Sequence, residues 1–199
     1  KWPKAENISF GENCAVLVAG ENAGVLSVNK ATVKDTKNHG VYNKATISGK
    51  GLTVENTKGN GVYNDGGTID AINGLTVKKA GDQGINNKGS FVASNVKIDG
   101  TTKNGVYNNG GTANINGIEV TGTGEHGVNN AGTMTLGTVT AKNAGENGIQ
   151  NTKDLTITGS ALLKEKFSRW FPFSWRDLRI TLVLLLGAVI LCSFLRQVD

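Results

Sequence analysis

The sequence predicts an all-β fold, a parallel β-helix (solenoid) of about seven coils, followed by one C-terminal transmembrane α-helix. Three observations carry this expectation: a motif G-[V/I]-x-N that occurs six times at near-constant spacing, apolar-x-apolar pairs at a fixed offset before each copy, and one apolar run, "ITLVLLLGAVILCSFL", near the end.

The composition suits short strands joined by tight turns. Among 199 residues there are 28 Gly and only 2 Pro, which points away from helix in the repetitive part. Residues 1–160 hold 15 Lys and no Arg against 13 Asp plus Glu, whereas residues 161–199 hold 2 Lys and 4 Arg against 3 acids. The lysines of the first part are spread evenly among the acids, so no basic groove and no nucleic-acid partner is expected despite the net charge of +5. Cys14 and Cys192 lie 178 positions apart and offer neither a disulfide nor a metal framework. No cofactor is expected. The chain opens on Lys1, as a processed chain or a fragment would.

Residues 1–14 are expected to form an N-terminal cap, with Trp2, Ile8 and Phe10 over the first coil. Residues 15–160 carry the repeat. Its glycines are Gly40, Gly61, Gly84, Gly105, Gly127 and Gly148, at spacings of 21, 23, 21, 22 and 21. Seven residues before each stand Val33, Val54, Val77, Ile98, Val120 and Ala141, and two before those stand Ala31, Leu52, Leu75, Val96, Ile118 and Val139. Alternation of this kind puts every second side chain on one face of a strand. A further alternating stretch follows the Asn, with Ile69 and Ala71, Phe91 and Ala93, Ala113 and Ile115, or Met134 and Leu136. Three short strands in about 22 residues make one coil of a parallel β-helix, in which equivalent positions stack about 4.8 Å apart.

Stacking turns each motif position into a column. Asn43, Asn64, Asn87, Asn108, Asn130 and Asn151 share a face with the inward Val or Ile two residues earlier, so they are expected to form an inward amide ladder. Asn is also expected there because it tolerates a left-handed bend, and the motif glycine because it fits the other tight turn. Before Gly40 the register weakens: Leu17 lies seven before Gly24, and Gly24 to Gly40 is too short for a full coil.

These repeats resemble the right-handed parallel β-helix proteins of the pectate-lyase-like superfamily, particularly the glycine- and asparagine-rich repeats of bacterial surface proteins. The resemblance covers residues 15–159. It implies the fold, and only by analogy a polysaccharide lyase or hydrolase. Pectin-cleaving members need clustered carboxylates or an Asp and Arg cluster on neighbouring coils. Here only Lys97, Asp99 and Glu119 approach one another, with no opposing carboxyl pair, so a solvated face is expected and no catalytic residue is assigned. His39 and His126 occupy one coil position four repeats apart, too far to share a metal, and read as surface turn residues. Tyr42, Tyr63 and Tyr107 are expected to point outward. Tyr42 and Tyr63 form a candidate glycan platform. The alternative is cross-strand stacking alone, worth roughly 0.2–1 kcal/mol per pair.

Residues 161–177 read as a basic and aromatic juxtamembrane linker, and residues 178–195 as a transmembrane helix meeting the lipid bilayer through Ile180 to Leu195. Trp170, Phe171, Phe173 and Trp175 suit an interfacial belt. Lys164, Lys166, Arg169, Arg176 and Arg179 precede the span and only Arg196 follows, which places the preceding side in the cytoplasm. The stretch "FPFSWRDLRITLVLLLGAVILCSFLRQVD" resembles the first membrane span of Kdp-type potassium-sensor histidine kinases. The remaining spans, the phosphoacceptor His and the ATP-binding boxes of that family are not in this sequence, so the resemblance implies no kinase activity here.

Three functions are expected from these observations. The first is a non-enzymatic, membrane-attached surface or adhesin-like module with a glycan or cell-surface partner. The second is a truncated membrane sensor fused to a β-helix. The third is the polysaccharide-cleaving enzyme of the fold analogy. The location is the membrane, with the β-helix at the surface by analogy or in the cytoplasm by charge bias.

Overall fold

The computed structural model describes residues 25–165 and, before them, the strands Ala5–Glu6, Ser9–Phe10 and Val16–Val18. Every element described is a β-strand, and every strand pairing is parallel. The chain is a parallel solenoid of about seven coils. The predicted transmembrane helix, the linker beyond Glu165, the aromatic belt, both cysteines, Trp2 and Ile8 lie outside the described residues.

Each coil contributes one long and one short strand. The short strands, Val16–Val18, Val41–Asn43, Val62–Asn64, Ile85–Asn87, Val106–Asn108, Val128–Asn130 and Ile149–Asn151, stack in sequence order into a seven-stranded sheet. The long strands, Val25–Thr36, Thr46–Thr57, Thr68–Ala80, Ser90–Thr101 and Thr112–Thr123, build the second sheet, which splits into Thr133–Leu136 and Val139–Ala144 in the following coil. The last strands, Asp154–Ile157 and Ala161–Glu165, continue it, so the hydrogen-bonded array reaches Glu165.

Within a long strand the burial alternates with period two and then skips. In Thr112–Thr123 the inward residues are Ala113 and Ile115, then Ile118 and Val120, then Thr123. Each skip from two to three is a corner, and there the backbone turns left-handed. Lys30, Gly51, Gly74, Asn95 and Gly117 form one such column, with φ of 55°, 67°, 77°, 53° and 86°. Asp35, Asn56, Lys79, Gly100, Gly122 and Asn143 form the other, with φ between 51° and 74°. The predicted three strands per coil are therefore three faces, two of them joined through a bend without loss of pairing.

These corners correct the expectation for the ladder asparagines and the motif glycines. Neither group is left-handed among the described residues. The glycines are needed for close approach: a Cβ on Gly84 would lie 2.5 Å from the Gly105 carbonyl oxygen and 2.7 Å from Ile98 Cγ2.

Two further expectations are corrected by register. Ala71 is exposed, with φ of 50°, and Ile72 takes the inward rung opposite Ala93. The coil from Gly61 has one extra residue at this point, and a one-residue slip exchanges inward and outward side chains. Leu17 pairs with Tyr42 and not with the apolar pair, so Val16–Val18 is a rung of the short-strand sheet and the first coil is a longer one.

The core is a single apolar column. All twelve residues of the predicted pairs are buried, from 0% exposed at Val33, Val54, Val77, Val139 and Ala141 to 6% at Ala31, and Ile47, Ile69, Phe91, Ala113 and Met134 stack on the third face.

Candidate functional site: the tyrosine face and its amide ladders

The Asn column is buried from Asn43 to Asn130 and held by its own amides; Asn151, expected to be inward, is exposed and ends the ladder as an acceptor from Asn130. Nδ2 of Asn43, Asn64, Asn87, Asn108 and Asn130 donates to Oδ1 of the next asparagine in the column at 2.8 to 2.9 Å. The same amides reach the carbonyls of Thr68, Ser90, Thr112, Thr133 and Asp154 in the next coil. Asn43 to Asn130 are all 0% exposed, so the ladder satisfies groups that no water reaches.

A second ladder runs through the residues just before the motif glycines. The Asn60 backbone donates to His39 Nδ1 at 3.1 Å, Gln83 to Asn60 Oδ1 at 3.1 Å and Asn104 to Gln83 Oε1 at 2.8 Å. The His126 backbone donates to Asn104 Oδ1 at 3.2 Å, and that of Asn147 to His126 Nδ1 at 3.3 Å. His39 and His126 are therefore rungs of a ladder, not merely surface turn residues. His126 also meets Glu146 through Nε2 at 3.2 Å. Every motif glycine follows His, Asn or Gln, a regularity present in the sequence and left out of the ladder expected from it.

These ladders position an aromatic cluster. Strand alternation between inward Val and inward Asn turns Tyr42 and Tyr63 outward on adjacent strands, where their ring centroids lie 5.3 Å apart. His39 completes the group, 6.0 Å from Tyr42 and nearly parallel to it, and 5.1 Å from Tyr63 edge-on. The structure thus brings together the two tyrosines singled out by sequence. Tyr107 is two strands further along the column, beyond Asn86.

Asp65, in the turn after Asn64, ties the cluster together. It accepts from the Tyr42 hydroxyl at 2.7 Å and from the Tyr63 hydroxyl at 3.1 Å. Lys44 and Lys88 flank it at 3.4 and 3.7 Å, and each also sits over a ring, Lys44 5.6 Å from Tyr42 and Lys88 5.2 Å from Tyr63. Lys88 donates to the Tyr63 hydroxyl at 2.6 Å. The Tyr42 hydrogen bond, with smaller contributions from Tyr63 and Lys44, holds the Asp65 carboxyl below its ordinary range. The Tyr63 hydroxyl in the same way raises Lys88. Burial pulls the His39 imidazole below its usual value, opposed in part by Asp82. Asn86, beside Tyr63 in the column, has a buried side-chain oxygen with no hydrogen-bond partner among the described residues.

The other charged positions are dispersed. Glu119 pairs with Lys142 at 3.2 Å, and Lys97 lies beside Glu119 in register, while Lys97 and Asp99 are exposed. No three His, Cys, Asp or Glu side chains gather around a metal-sized space among the described residues. A shallow groove of about 390 Å³ opens between Lys58 and Lys79, where Gly81, Gly100 and Gly122 contribute no side chains.

No known protein family, curated protein or solved structure matches the chain.

Proposed function

We propose that this chain is a non-enzymatic, adhesin-like β-helix module whose seven-stranded face presents Tyr42 and Tyr63 to a glycan on a cell surface. The observation that carries this reading is the half-exposed cluster of Tyr42, Tyr63 and His39, held by Asp65 between two lysines. Aromatic rings with a polar handle bind amphipathic partners at low entropic cost, because only two side-chain torsions are fixed. A sugar ring has that mixed character, with axial C–H faces and equatorial hydroxyls. A solenoid rigid along its axis holds such a platform in fixed geometry without a mobile loop.

The likeness of the repeats to bacterial surface β-helices supports the same reading, and so does the apolar run Ile180 to Leu195 as a membrane attachment. The test is retention on a glycan array. Replacing Tyr42 and Tyr63 together with Ser is expected to abolish retention while the strand circular dichroism stays unchanged. An unmodified chain that binds no glycan reduces the cluster to a reinforcement of the sheet.

A further inference from the structure

Six Asn–Gly steps occur in the sequence, at Asn60, Asn73, Asn104, Asn109, Asn116 and Asn147. At such a step the glycine nitrogen has no neighbouring Cβ to hinder its approach to the asparagine side-chain carbonyl carbon. Structure decides which steps are protected. Asn60 and Asn104 are 3% exposed and are rungs of the second ladder. Their glycines are held as well, Gly61 N donating to Gln83 O and Gly105 N to His126 O, both at 3.0 Å. The Asn73 side chain accepts from Asn95 Nδ2 at 2.8 Å, and that of Asn147 donates to Gln150 Oε1 at 3.2 Å. Asn116 lies inside the long strand Thr112–Thr123, with interstrand bonds of 2.9 Å on either side, at Ile115 O and Ile118 N.

Asn109 has none of these restraints. It lies in the turn between Val106–Asn108 and Thr112–Thr123, and its side chain makes no hydrogen bond among the described residues. Gly110 is the inserted residue of its coil: φ is +80°, a Cβ there would meet nothing within 4 Å, and its N–H has no acceptor among the described residues.

The position matters because of its column. The residues following the ladder asparagines in successive coils are Lys44, Asp65, Lys88 and Asn109. Lys44 and Asp65 are 3.4 Å apart, and Asp65 and Lys88 are 3.7 Å apart. Asn109 is next in this alternation and is neutral. Its segment "YNNGG" differs from "YNDGG" of the charged coil in that one residue, and Tyr107 precedes Asn109 as Tyr63 precedes Asp65.

We propose that Asn109 is a site of spontaneous deamidation, and that the aspartate formed extends the ion column to Lys44, Asp65, Lys88 and residue 109. The Gly110 nitrogen loses its proton and bonds to Asn109 Cγ. The Cγ–Nδ2 bond breaks, and ammonia leaves from a five-membered imide. Water then adds to one imide carbonyl. Opening at the Cγ–N bond gives aspartate, and opening at the main-chain bond gives isoaspartate, whose extra backbone carbon the open turn at Gly110 accommodates. The balance is amide plus water to acid plus ammonia, with no oxidation. Opposite charges on neighbouring strands attract at this spacing, so Lys88 gains a second carboxylate partner.

The test uses the full chain aged in mildly alkaline buffer made with heavy-oxygen water, followed by peptide mapping. The expected result is label and amide-to-acid mass gain first in the peptide containing Asn109, severalfold faster than at Asn73, Asn116 or Asn147, and none at Asn60 or Asn104. Gly110→Ala and Asn109→Gln should each remove that early product, and the second leaves the glycine turn intact. Asn109→Asp should melt at a higher temperature than the parent in low salt, with the difference lost in high salt and in a Lys88→Met background. First reaction at Asn73 or Asn116, or an Asn109→Asp chain no more stable than the parent in low salt, overturns the proposal.

Discussion

Asn64 donates its side-chain amide to Asn87 Oδ1 at 2.8 Å, and the same nitrogen reaches the Gly67 and Ser90 carbonyls at 2.9 and 3.0 Å. One buried side chain thus links two turns and two coils. Its neighbours in the column repeat the arrangement, so the ladder responds to substitution at any rung.

Asn108→Leu should destabilise the fold by about 1–3 kcal/mol, because it removes the side-chain donor to Asn130 Oδ1 and to the Gly111 and Thr133 carbonyls and the acceptor of Asn87 Nδ2. Thr76→Ser, on the outer face, should be within about 0.5 kcal/mol of the parent. Urea unfolding of both variants checks this, and equal midpoints would count against the ladder.

Gly84→Ala should cost about 1–3 kcal/mol, since its Cβ would press on the Gly105 carbonyl and on Ile98 in a packed column. The thermal midpoint reads the effect directly. A midpoint unchanged from the parent would show that the coil spacing yields there.

Lys79→Asn should stabilise by up to about 1 kcal/mol, because Lys79 is left-handed at φ 51° and asparagine tolerates that region better. Lys79→Val should destabilise for the converse reason. Chemical denaturation of the pair tests the corner assignment, and the opposite order would refute it.

His39→Asn should lessen the sensitivity of stability to acid. The folded imidazole lies below its usual 6.5, with burial the larger cause and Asp82 opposing it, so the unfolded chain binds that proton more readily. The stability it confers is complete above about pH 6.5 and is lost as pH falls through the lowered folded value. Asparagine keeps the acceptor used at Asn60 and Asn104 and does not titrate. Melting curves from neutral pH to about pH 5 should be flatter for the variant. Parallel slopes would exclude His39 as a source of the dependence.

The repeat was legible because its chemistry is tied to residue identity. A side-chain amide both donates and accepts along a stack, and glycine alone fits against the next coil's carbonyl, so Asn64 and Gly84 stand out in the sequence. The corners were only partly legible: most residues of the two columns are glycine or asparagine, which favour left-handed backbone, but lysines interrupt both columns. Lys30 and Lys79 have no preference that announces it. Ile72 was hidden by a single inserted residue, which moved the alternation off Ala71. The tyrosine face was legible as far as strand alternation, which turned Tyr42 and Tyr63 outward. Asp65 was not, because its role depends on a turn residue folding back over two coils. The His39 to Asn147 ladder was visible in principle, as an amide or imidazole before every motif glycine.

Each interior rung of the Asn column gives one proton forward and takes one from behind, so the rod has a direction but no preferred number of steps. Excising Gly84 to Asn104, one whole period, would set Asn64 against Asn108 and leave Gln83 before Gly105, with every remaining rung of the two ladders matched. The rod would shorten by about 4.8 Å and keep its cross-section. Tandem duplication and loss can therefore tune how many coils follow the tyrosine face, in whole increments, without any new packing having to be found.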